Sequence, residues 1–400
     1  SLTLNGGTSG TVTVTGSIGK TTALQTLTLT NSNGATFGTT EADTTQNQTS
    51  TVISNTVAGT TVLFNGALIT NSLSTSGNAW HLHLAGTGST IGTTSLQNAG
   101  QAIFGNSSAD VLLFLAPLTV TVPSSVELFG QIRTQQSTVL LGDSDTPVNL
   151  RSVNSVVDTT NNLDPLYLAG ATITFGNVIE GKTGAGNENL ALNAGTAGDV
   201  IFAGTIGAAR RMGTLHMRGL RNTILPSVTA QTLIQTTGTG TTTFNGIINT
   251  TSATGVDVTT TNIVVNNLIT TIVDGSVPNS APGIVNLQAT ASAASATTGS
   301  ITMLDPGRIV ASNDVTLQGN RSIAPSITVY EASYTGTNLT PQQRDFITTT
   351  TAGADVTIQS SMLFSSPGES ADNDFIINTK AANGNITLQA AIDGDWNNFV

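Results

Sequence analysis

Short runs in which an apolar residue alternates with threonine recur along the whole chain. Residues 2–4 (LTL), 12–14 (VTV) and 27–29 (LTL) are early examples. Alternation with a period of two is typical of a β-strand with one buried face. Threonine suits the outer face because its branched Cβ favours the pleated backbone. Clusters of Gly, Asn and Asp separate the runs and indicate turns, so the sequence predicts an all-β chain of many short strands.

The runs belong to degenerate internal repeats. F-G or F-x-G motifs follow β-rich runs, and the spacings between them alternate between short and long, with a period of about 65–73 residues. The phenylalanines of these motifs are Phe37, Phe64, Phe104, Phe129, Phe175, Phe202 and Phe244. The C-terminal half repeats a different motif, centred on Leu287, Leu317, Ile358 and Leu388 at intervals of 30, 41 and 30 residues. Residues 2–29 also align without a gap to residues 190–217.

A fixed period of this kind is typical of solenoids, propellers or repeat arrays. A super-repeat of about 70 residues divides into three coils of about 23, which favours a β-solenoid. A propeller is the main alternative, although its blade signatures are missing. We predict one continuous β-solenoid over residues 1–400, with an enlarged corner at 276–300 and a short helical excursion at 340–346. The helix is expected because Thr340 can serve as an N-cap before Pro341.

Composition excludes several classes of protein. Charged residues make up 9% of the chain and the net charge is −11, which disfavours a helical protein with a charged surface and argues against nucleic acid as a partner. Cysteine is absent, which excludes disulfides and thiolate metal ligands. The longest apolar stretch, 111–118, is too short to span a membrane as a helix. The opening at Ser1, without an initiator Met, predicts a processed product or a segment of a longer parent chain.

The repeats resemble those of large bacterial surface proteins. The similarity lies in units such as LTLNGG (2–7), FNG (64–66 and 244–246) and GNITLQA (384–390), and it covers nearly the whole chain. Filamentous-haemagglutinin-like exoproteins and autotransporter passengers carry repeats of this kind. The resemblance implies a right-handed parallel β-helix at the cell surface or outside the cell. It also implies a role in adhesion, biofilm matrix or fibres.

Several acidic pairs stand next to turns in a D-x-D pattern. Their carboxylates are candidate Ca²⁺ ligands, and they are also candidate paired carboxylates of a polysaccharide hydrolase. The alternative is that they only form turns, which Asp favours. The candidates are Asp143, Asp145, Asp372, Asp374, Asp393 and Asp395. His81 and His83 lie two residues apart on one strand face and are a second, incomplete metal candidate.

The candidate subunit interface combines a basic cluster with the two ends of the sequence. Four arginines fall within twelve positions and suit an acidic surface of another copy; the alternative is a solvated corner. A β-solenoid ends in coils with unpaired backbone groups, so both ends are expected to accept a further coil. The interface candidates are Leu2, Leu4, Arg210, Arg211, Arg218, Arg221, Trp396 and Phe399.

Three functions are compatible with these features. The first is a non-enzymatic extracellular structural protein that stacks end to end in a fibre, sheath or biofilm matrix, with itself or a longer parent chain as partner. The second is an adhesin or stalk that presents Thr and Asn ladders to a cell-surface glycan. The third is a polysaccharide-degrading β-helix enzyme. No cofactor is expected apart from Ca²⁺.

Overall fold

The chain is all-β in the part that the computed structural model describes. That part contains no helix, and the described pairings between its strands are parallel. The chain divides into two compact units, Ser1–Arg210 and Arg211–Val400. The predictions of an all-β chain and of parallel strands are confirmed. The described residues are 1–182, 185–277, 279–290, 299–304, 306–319, 327–330, 344–365, 375–379 and 383–395.

The first unit is built from short strands that visit the same sheets repeatedly. Each strand pairs in parallel with the strand one coil further along the chain. In chain order the strands are β1 (Leu2–Asn5), β2 (Val12–Val14), β3 (Leu24–Ser32), β4 (Ala35–Phe37), β5 (Thr45–Thr56), β6 (Thr61–Phe64), β7 (Leu68–Thr75), β8 (His81–Leu84), β9 (Ser89–Ser95), β10 (Gln101–Phe104), β11 (Val111–Phe114), β12 (Leu118–Val120), β13 (Ser125–Leu128), β14 (Gln131–Thr134), β15 (Val139–Leu141), β16 (Val148–Leu150), β17 (Asn154–Asp158), β18 (Ile173–Phe175), β19 (Ile179–Glu180), β20 (Asn189–Asn193) and β21 (Val200–Phe202).

Three parallel ladders organise these strands. One runs through β1, β3, β5, β7, β9, β11, β14, β17 and β20. A second runs through β2, β4, β6, β8, β10, β13, β16 and β19. The third connects β12, β15, β18 and β21. Because consecutive strands of a ladder belong to consecutive coils, the first unit consists of coils stacked on one another.

The second unit repeats this construction. Its strands are β22 (Met212–Gly219), β23 (Thr223–Leu225), β24 (Val228–Gln235), β25 (Thr241–Phe244), β26 (Ile248–Thr250), β27 (Val256–Thr260), β28 (Asn262–Val265), β29 (Leu268–Thr271), β30 (Val285–Ala289), β31 (Ser300–Leu304), β32 (Arg308–Ala311), β33 (Val315–Gly319), β34 (Ile327–Tyr330), β35 (Arg344–Thr349), β36 (Val356–Ile358), β37 (Met362–Ser365), β38 (Phe375–Thr379), β39 (Ile386–Leu388) and β40 (Ile392–Asp395). One ladder contains β27, β30, β33, β36 and β39. Another contains β28, β31, β34, β37 and β40.

The core is a column of side chains from alternate strand positions. Val62 and Phe64 on β6 are fully buried, whereas Leu63 between them points outwards and is half-buried. The Phe64 ring stacks on Phe37 of the preceding coil with centroids 4.8 Å apart and an interplanar angle of 14°. Phe37 and Phe64 of adjacent coils therefore pack on one another, which explains why this motif returns after one coil.

A carboxylate explains the turn after two of the F-G motifs. Gly38 has a φ of 80°, and the Asp43 carboxylate then accepts the backbone N–H groups of Thr39 (2.9 Å) and Thr40 (3.1 Å). These backbone donors lower the pKa of Asp43. Asp110 forms the same turn after Phe104. Its carboxylate accepts the backbone N–H groups of Asn106 and Ser107. At these two positions, the F-G motif therefore precedes a corner that is capped by a carboxylate.

Each repeat of the second sequence motif corresponds to one coil. Leu287 pairs in register with Leu317, Leu317 with Ile358, and Ile358 with Leu388. The phenylalanine motif is less regular, because Leu128 rather than Phe129 is the register partner of Phe104. The super-repeat length, the handedness and the continuity of a single solenoid stay predictions.

Two local predictions need correction. The segment 276–300 is not a single enlarged corner, because it contains the strand β30, which pairs with β27 and β33. The helical excursion predicted at 340–346 is wrong at its C-terminal end, where Arg344–Thr349 forms β35 between β32 and β38. Residues 340–343 lie outside the described part. Strand pairing on both sides overrides the capping signal, which is weak in so short a segment.

Candidate functional site

The subunit interface predicted from the sequence involves the first coil and the end of the chain, where the last described coil lies. Leu2 and Leu4 on β1 are half-buried, whereas their register partners one coil later, Leu27 and Leu29, are each 1% exposed. Val12 and Val14 on β2 are also half-buried. We call these four side chains the first-coil surface. They have the core orientation but are covered on one side only, by β3 and β4.

The last described coil is more open. Ile386, Leu388 and Ile392 are 45%, 42% and 45% exposed, and we call them the last-coil surface. Their register partners one coil earlier are Val356, Ile358 and Met362, with exposures of 0%, 1% and 0%. The contrast arises because the earlier coil is covered on both sides. Trp396 and Phe399 of the predicted interface lie outside the described residues.

A polar ladder runs along the corner before these strands. The Asp355 N–H donates to Asp314 Oδ1 (2.8 Å), and the Asn385 N–H donates to Asp355 Oδ1 (2.6 Å). The ladder therefore joins three successive coils through a side-chain oxygen and the backbone N–H of the next coil. Its last described member is Asn385, at the edge of the last-coil surface.

The four predicted arginines do not act as one group. In the first unit the side chain of Arg210 is exposed, and the backbone N–H of Arg210 donates to Glu180 Oε2 (2.7 Å). In the second unit Arg211 is half-buried and donates from Nη1 to the carbonyl oxygens of Ala230 (2.7 Å) and Asn249 (3.3 Å). Burial lowers the pKa of Arg211, and Asp274 opposes this shift. Arg211 thus connects coils of its own unit.

Arg218 and Arg221 are both exposed in the second unit. Arg218 lies close enough to His216 to contribute, after burial, to lowering the pKa of that imidazole. His216 Nε2 and Thr236 Oγ1 are 2.7 Å apart, so the histidine also contacts the next coil. Of the four predicted arginines, Arg210, Arg218 and Arg221 are therefore the exposed ones.

The metal candidates are spread along the chain. Asp143 and Asp145 occupy the turn between β15 and β16, where the Asp145 N–H donates to Asp143 Oδ1 (3.3 Å). A hydrogen bond between the two carboxyl groups lowers the pKa of Asp143 and raises that of Asp145. Among the described residues, no three acidic or histidine side chains converge in a way that could hold a metal ion.

The other acidic candidates are less defined. Asp393 and Asp395 lie on β40, and their side chains are outside the described part, as are Asp372 and Asp374 altogether.

The two histidines of β8 contact the neighbouring coil. His83 Nε2 lies 3.0 Å from the Gly105 carbonyl oxygen, and His81 Nδ1 accepts the Gln101 N–H at 2.9 Å. Both rings thus engage the backbone of the following coil through one nitrogen. This arrangement fits structural histidines that join adjacent coils.

Acidification is expected to weaken the fold through His83. Burial lowers the pKa of His83, so the folded chain binds this proton less tightly than the unfolded chain does. The stability that neutral His83 contributes is complete above the unfolded pKa of about 6.5 and is lost as the pH falls through the lower, folded pKa. Urea unfolding between pH 8 and pH 5 measures this slope. In His83→Gln the slope should be shallower, and an unchanged slope would refute the assignment.

A polar cluster that joins three coils was not predicted from the sequence. Glu127 on β13 is 3% exposed, and its Oε1 accepts hydrogen bonds from side chains of three coils. The donors are Gln101 Nε2 (3.3 Å), Ser125 Oγ (2.7 Å) and Asn149 Nδ2 (2.9 Å). Arg151 forms a salt bridge with Oε2 and keeps 25% of its side chain exposed. Because each donor satisfies this one carboxylate, the cluster holds three coils together.

Comparison with protein-family models, curated proteins and solved structures finds no match to the chain. The described residues include no helix long and apolar enough to cross a membrane. The class of protein that the fold defines is thus an all-β repeat protein of stacked parallel strands, with two partly uncovered coil surfaces.

Proposed function

We propose that the chain is a non-enzymatic structural protein, a right-handed β-solenoid that serves in a surface fibre, sheath or biofilm matrix outside the cell. The observation that carries this proposal is the stacking of parallel strands in both units, in which the apolar side chains of one coil are buried by the coils before and after it. Core positions that are at most 1% exposed at Val356, Ile358 and Met362 are 42–45% exposed one coil later. A further coil placed there would bury them, and each fully buried aliphatic side chain is worth about 1.5–3 kcal/mol.

The backbone supports the same conclusion. An uncovered edge strand offers a row of N–H and C=O groups to another chain, and natural proteins usually protect such edges. Within the described residues, β39 pairs with β36 and β40 pairs with β37, and both pairs are parallel, as the pairing with a further coil would require. The resemblance of the repeats to those of secreted exoproteins supports a location outside the cell.

Assembly is tested by electron microscopy of the purified 400-residue chain over a range of concentrations. We expect filaments whose abundance rises with concentration. The double variant Ile386→Asp, Leu388→Asp should remain folded, because both side chains are already exposed, and should lose the filaments, because it places charges on the last-coil surface. The matched control is Thr357→Asp, Thr316→Asp on the outward face. Particles that stay single at every concentration would refute the assembly.

An adhesin or glycan-binding stalk is the second candidate, favoured by polar ladders on the outer face of the second unit. Asn286 pairs in register with Asp257 and Thr316, and its Nδ2 donates to Asp257 Oδ1 (2.8 Å). Gln288 pairs in register with Gln318. Such rows of amides and hydroxyls can bond to sugar hydroxyls. A glycan array distinguishes the two functions, because glycan binding should survive the Ile386→Asp, Leu388→Asp substitutions.

A further inference from the structure

We propose that the outward face of β3, β5, β7 and β9 binds the surface of ice through a regular array of hydroxyl groups. This activity goes beyond the proposed structural function, because it uses an outward strand face of the first unit and requires no second copy of the chain. We call the residues concerned the hydroxyl array. They are Thr26, Thr28, Ser50, Ser72, Ser74, Thr93 and Ser95, together with Val52.

Strand register arranges the hydroxyl array in two rows that cross four successive coils. The first row consists of the register partners Thr28, Val52, Ser74 and Ser95. In the second row Thr26 pairs with Ser50, and Ser72 pairs with Thr93. These two pairs are adjacent, because Ser72 Oγ donates to the carbonyl oxygen of Thr49, the residue before Ser50 (3.2 Å).

The side chains of the hydroxyl array point away from the core. They are half-buried on β3, β5 and β7 and exposed on β9. The residues between them on the first three strands, Leu27, Thr51 and Leu73, are each 1% exposed. Because successive side chains of a strand point to opposite faces, the array residues share one outward face.

The hydroxyl array repeats in two directions. Neighbouring parallel strands lie about 4.8 Å apart, and residues two positions apart along a strand lie about 6.6 Å apart. On the prism face of ice, the water oxygens form a rectangular lattice with two similar repeats. A hydroxyl group donates one hydrogen bond and accepts two, so it can replace a water molecule at a lattice position. The array therefore has the spacing and the bonding capacity of a layer of ice.

The hydroxyl groups are available for this contact. Among the described contacts, Ser72 is the only array residue whose side chain forms a hydrogen bond within the chain. Val52 interrupts the first row with a side chain that has the size and branching of threonine, so it keeps the surface level. The array thus presents a continuous surface of small side chains to the solvent.

Strand propensity alone does not explain the composition of the hydroxyl array. Threonine is enriched in β-strands but serine is not, and four of the eight array positions are serine. A second outward face of the same coils, on β6 and β8, instead presents Leu63 in register with His83. The concentration of hydroxyl groups is therefore a property of one face.

The shape of the hydroxyl array favours an extended solid as its ligand. Small-molecule sites are concave and their polar groups converge, whereas a strand face presents its hydroxyl groups side by side. The array contains no charged or aromatic side chain, and these are the groups that dominate binding to nucleic acids and to proteins. A repeating lattice of water molecules can engage every hydroxyl group of the array at once.

Entry into growing ice tests the proposal. A single ice crystal is grown slowly in a solution of the purified 400-residue chain, and the protein in the melted crystal is compared with that in the remaining liquid. Ser74→Tyr places a ring within the hydroxyl array, and Ser95→Tyr does so at an exposed position that accepts a larger side chain. Leu63→Tyr is the matched control on the other outward face. Fluorescence of the buried Trp80 verifies that each variant is folded.

We expect the unchanged chain and Leu63→Tyr to enter the ice. Ser74→Tyr and Ser95→Tyr should leave at least about tenfold less protein in the melted crystal, because a ring that holds two surfaces apart removes most of their contacts. Exclusion of the unchanged chain from ice would overturn the proposal, as would equal entry by the three variants. Binding to crystalline cellulose or chitin without entry into ice would also overturn it and would assign the array to a polysaccharide.

Electron microscopy separates this activity from the proposed structural function. Ser74→Tyr should form filaments as abundantly as the unchanged chain, because the hydroxyl array lies on an outward face. Loss of ice binding with filaments retained supports a separate binding face. Loss of both in folded Ser74→Tyr would contradict it, whereas filaments without any ice binding by the unchanged chain would overturn the ice proposal alone.

Discussion

Replacing Phe64 with alanine is expected to lower the free energy of unfolding of the first unit by about 3–5 kcal/mol. The side chain is 1% exposed and stacks on Phe37 with ring centroids 4.8 Å apart. On the other side, Phe64 is the register partner of Leu84. Backbone ladders fix the distance between coils, so the surrounding chain cannot collapse into the cavity, and the cost should fall at the upper end of this range.

Trp80 provides a local signal for this measurement. It is fully buried, it directly precedes β8, and β8 pairs with β6, which carries Phe64. The chain has two tryptophans, so urea unfolding is followed by Trp80 fluorescence in a Trp396→Phe background. Leu63→Ala on the same strand is the matched control, because Leu63 points outwards and should cost less than about 1 kcal/mol. Equal losses for Phe64→Ala and Leu63→Ala would contradict the assigned core.

Replacing Glu127 with alanine is expected to destabilise the first unit by about 3–5 kcal/mol, the usual cost of removing one partner from a buried ion pair. The substitution leaves Arg151 without its carboxylate and removes the acceptor of Gln101, Ser125 and Asn149. Each buried donor left without a partner adds to the loss. The effect is large because the four donors come from three coils.

Two further variants separate charge from hydrogen bonding at this position. Glu127→Gln retains one oxygen acceptor and removes the charge, so its loss should be smaller than that of the alanine variant. Glu41→Ala removes a carboxylate from an exposed turn and should change the free energy of unfolding by less than about 0.5 kcal/mol. If Glu127→Ala matched Glu41→Ala in urea unfolding, the cluster would not hold the coils together.

The strand content was predictable because it is a local property. The apolar–Thr alternation at residues 2–4 and 27–29 specifies which face is buried, and the intervals between Leu287, Leu317, Ile358 and Leu388 give the register. Motif spacing works there because each repeat is one coil. It was less accurate at Phe129, where the corner shifts the phenylalanine one position beyond the strand.

The features that were predicted wrongly or missed depend on contacts between residues that are distant in sequence. Arg344–Thr349 forms a strand because β32 and β38 pair with it, and neither neighbour is visible in a short capping motif. Glu127 was missed because an acidic residue between Val126 and Leu128 has the pattern of a solvated outward position. Its donors come from residues 2 to 26 positions away, and most lie at the distance of one coil. A search for polar residues spaced by one coil could have found the cluster.

For the four arginines, the prediction was wrong in the other direction, because it grouped residues that are close in sequence but have different surroundings in the structure. They are close in sequence, yet Arg211 is engaged by the Ala230 and Asn249 carbonyls, whereas Arg218 lies near His216. Along a strand, successive side chains point to opposite faces, so proximity in sequence does not produce a shared patch.

X-ray diffraction from oriented filaments determines whether the coils stack along the filament axis. If coils stack along the filament, the strands lie perpendicular to the axis and their spacing repeats along it. Coil stacking predicts a strong meridional reflection at about 4.8 Å. Filaments with this reflection on the equator, or without it, would contradict coil stacking as the basis of the assembly.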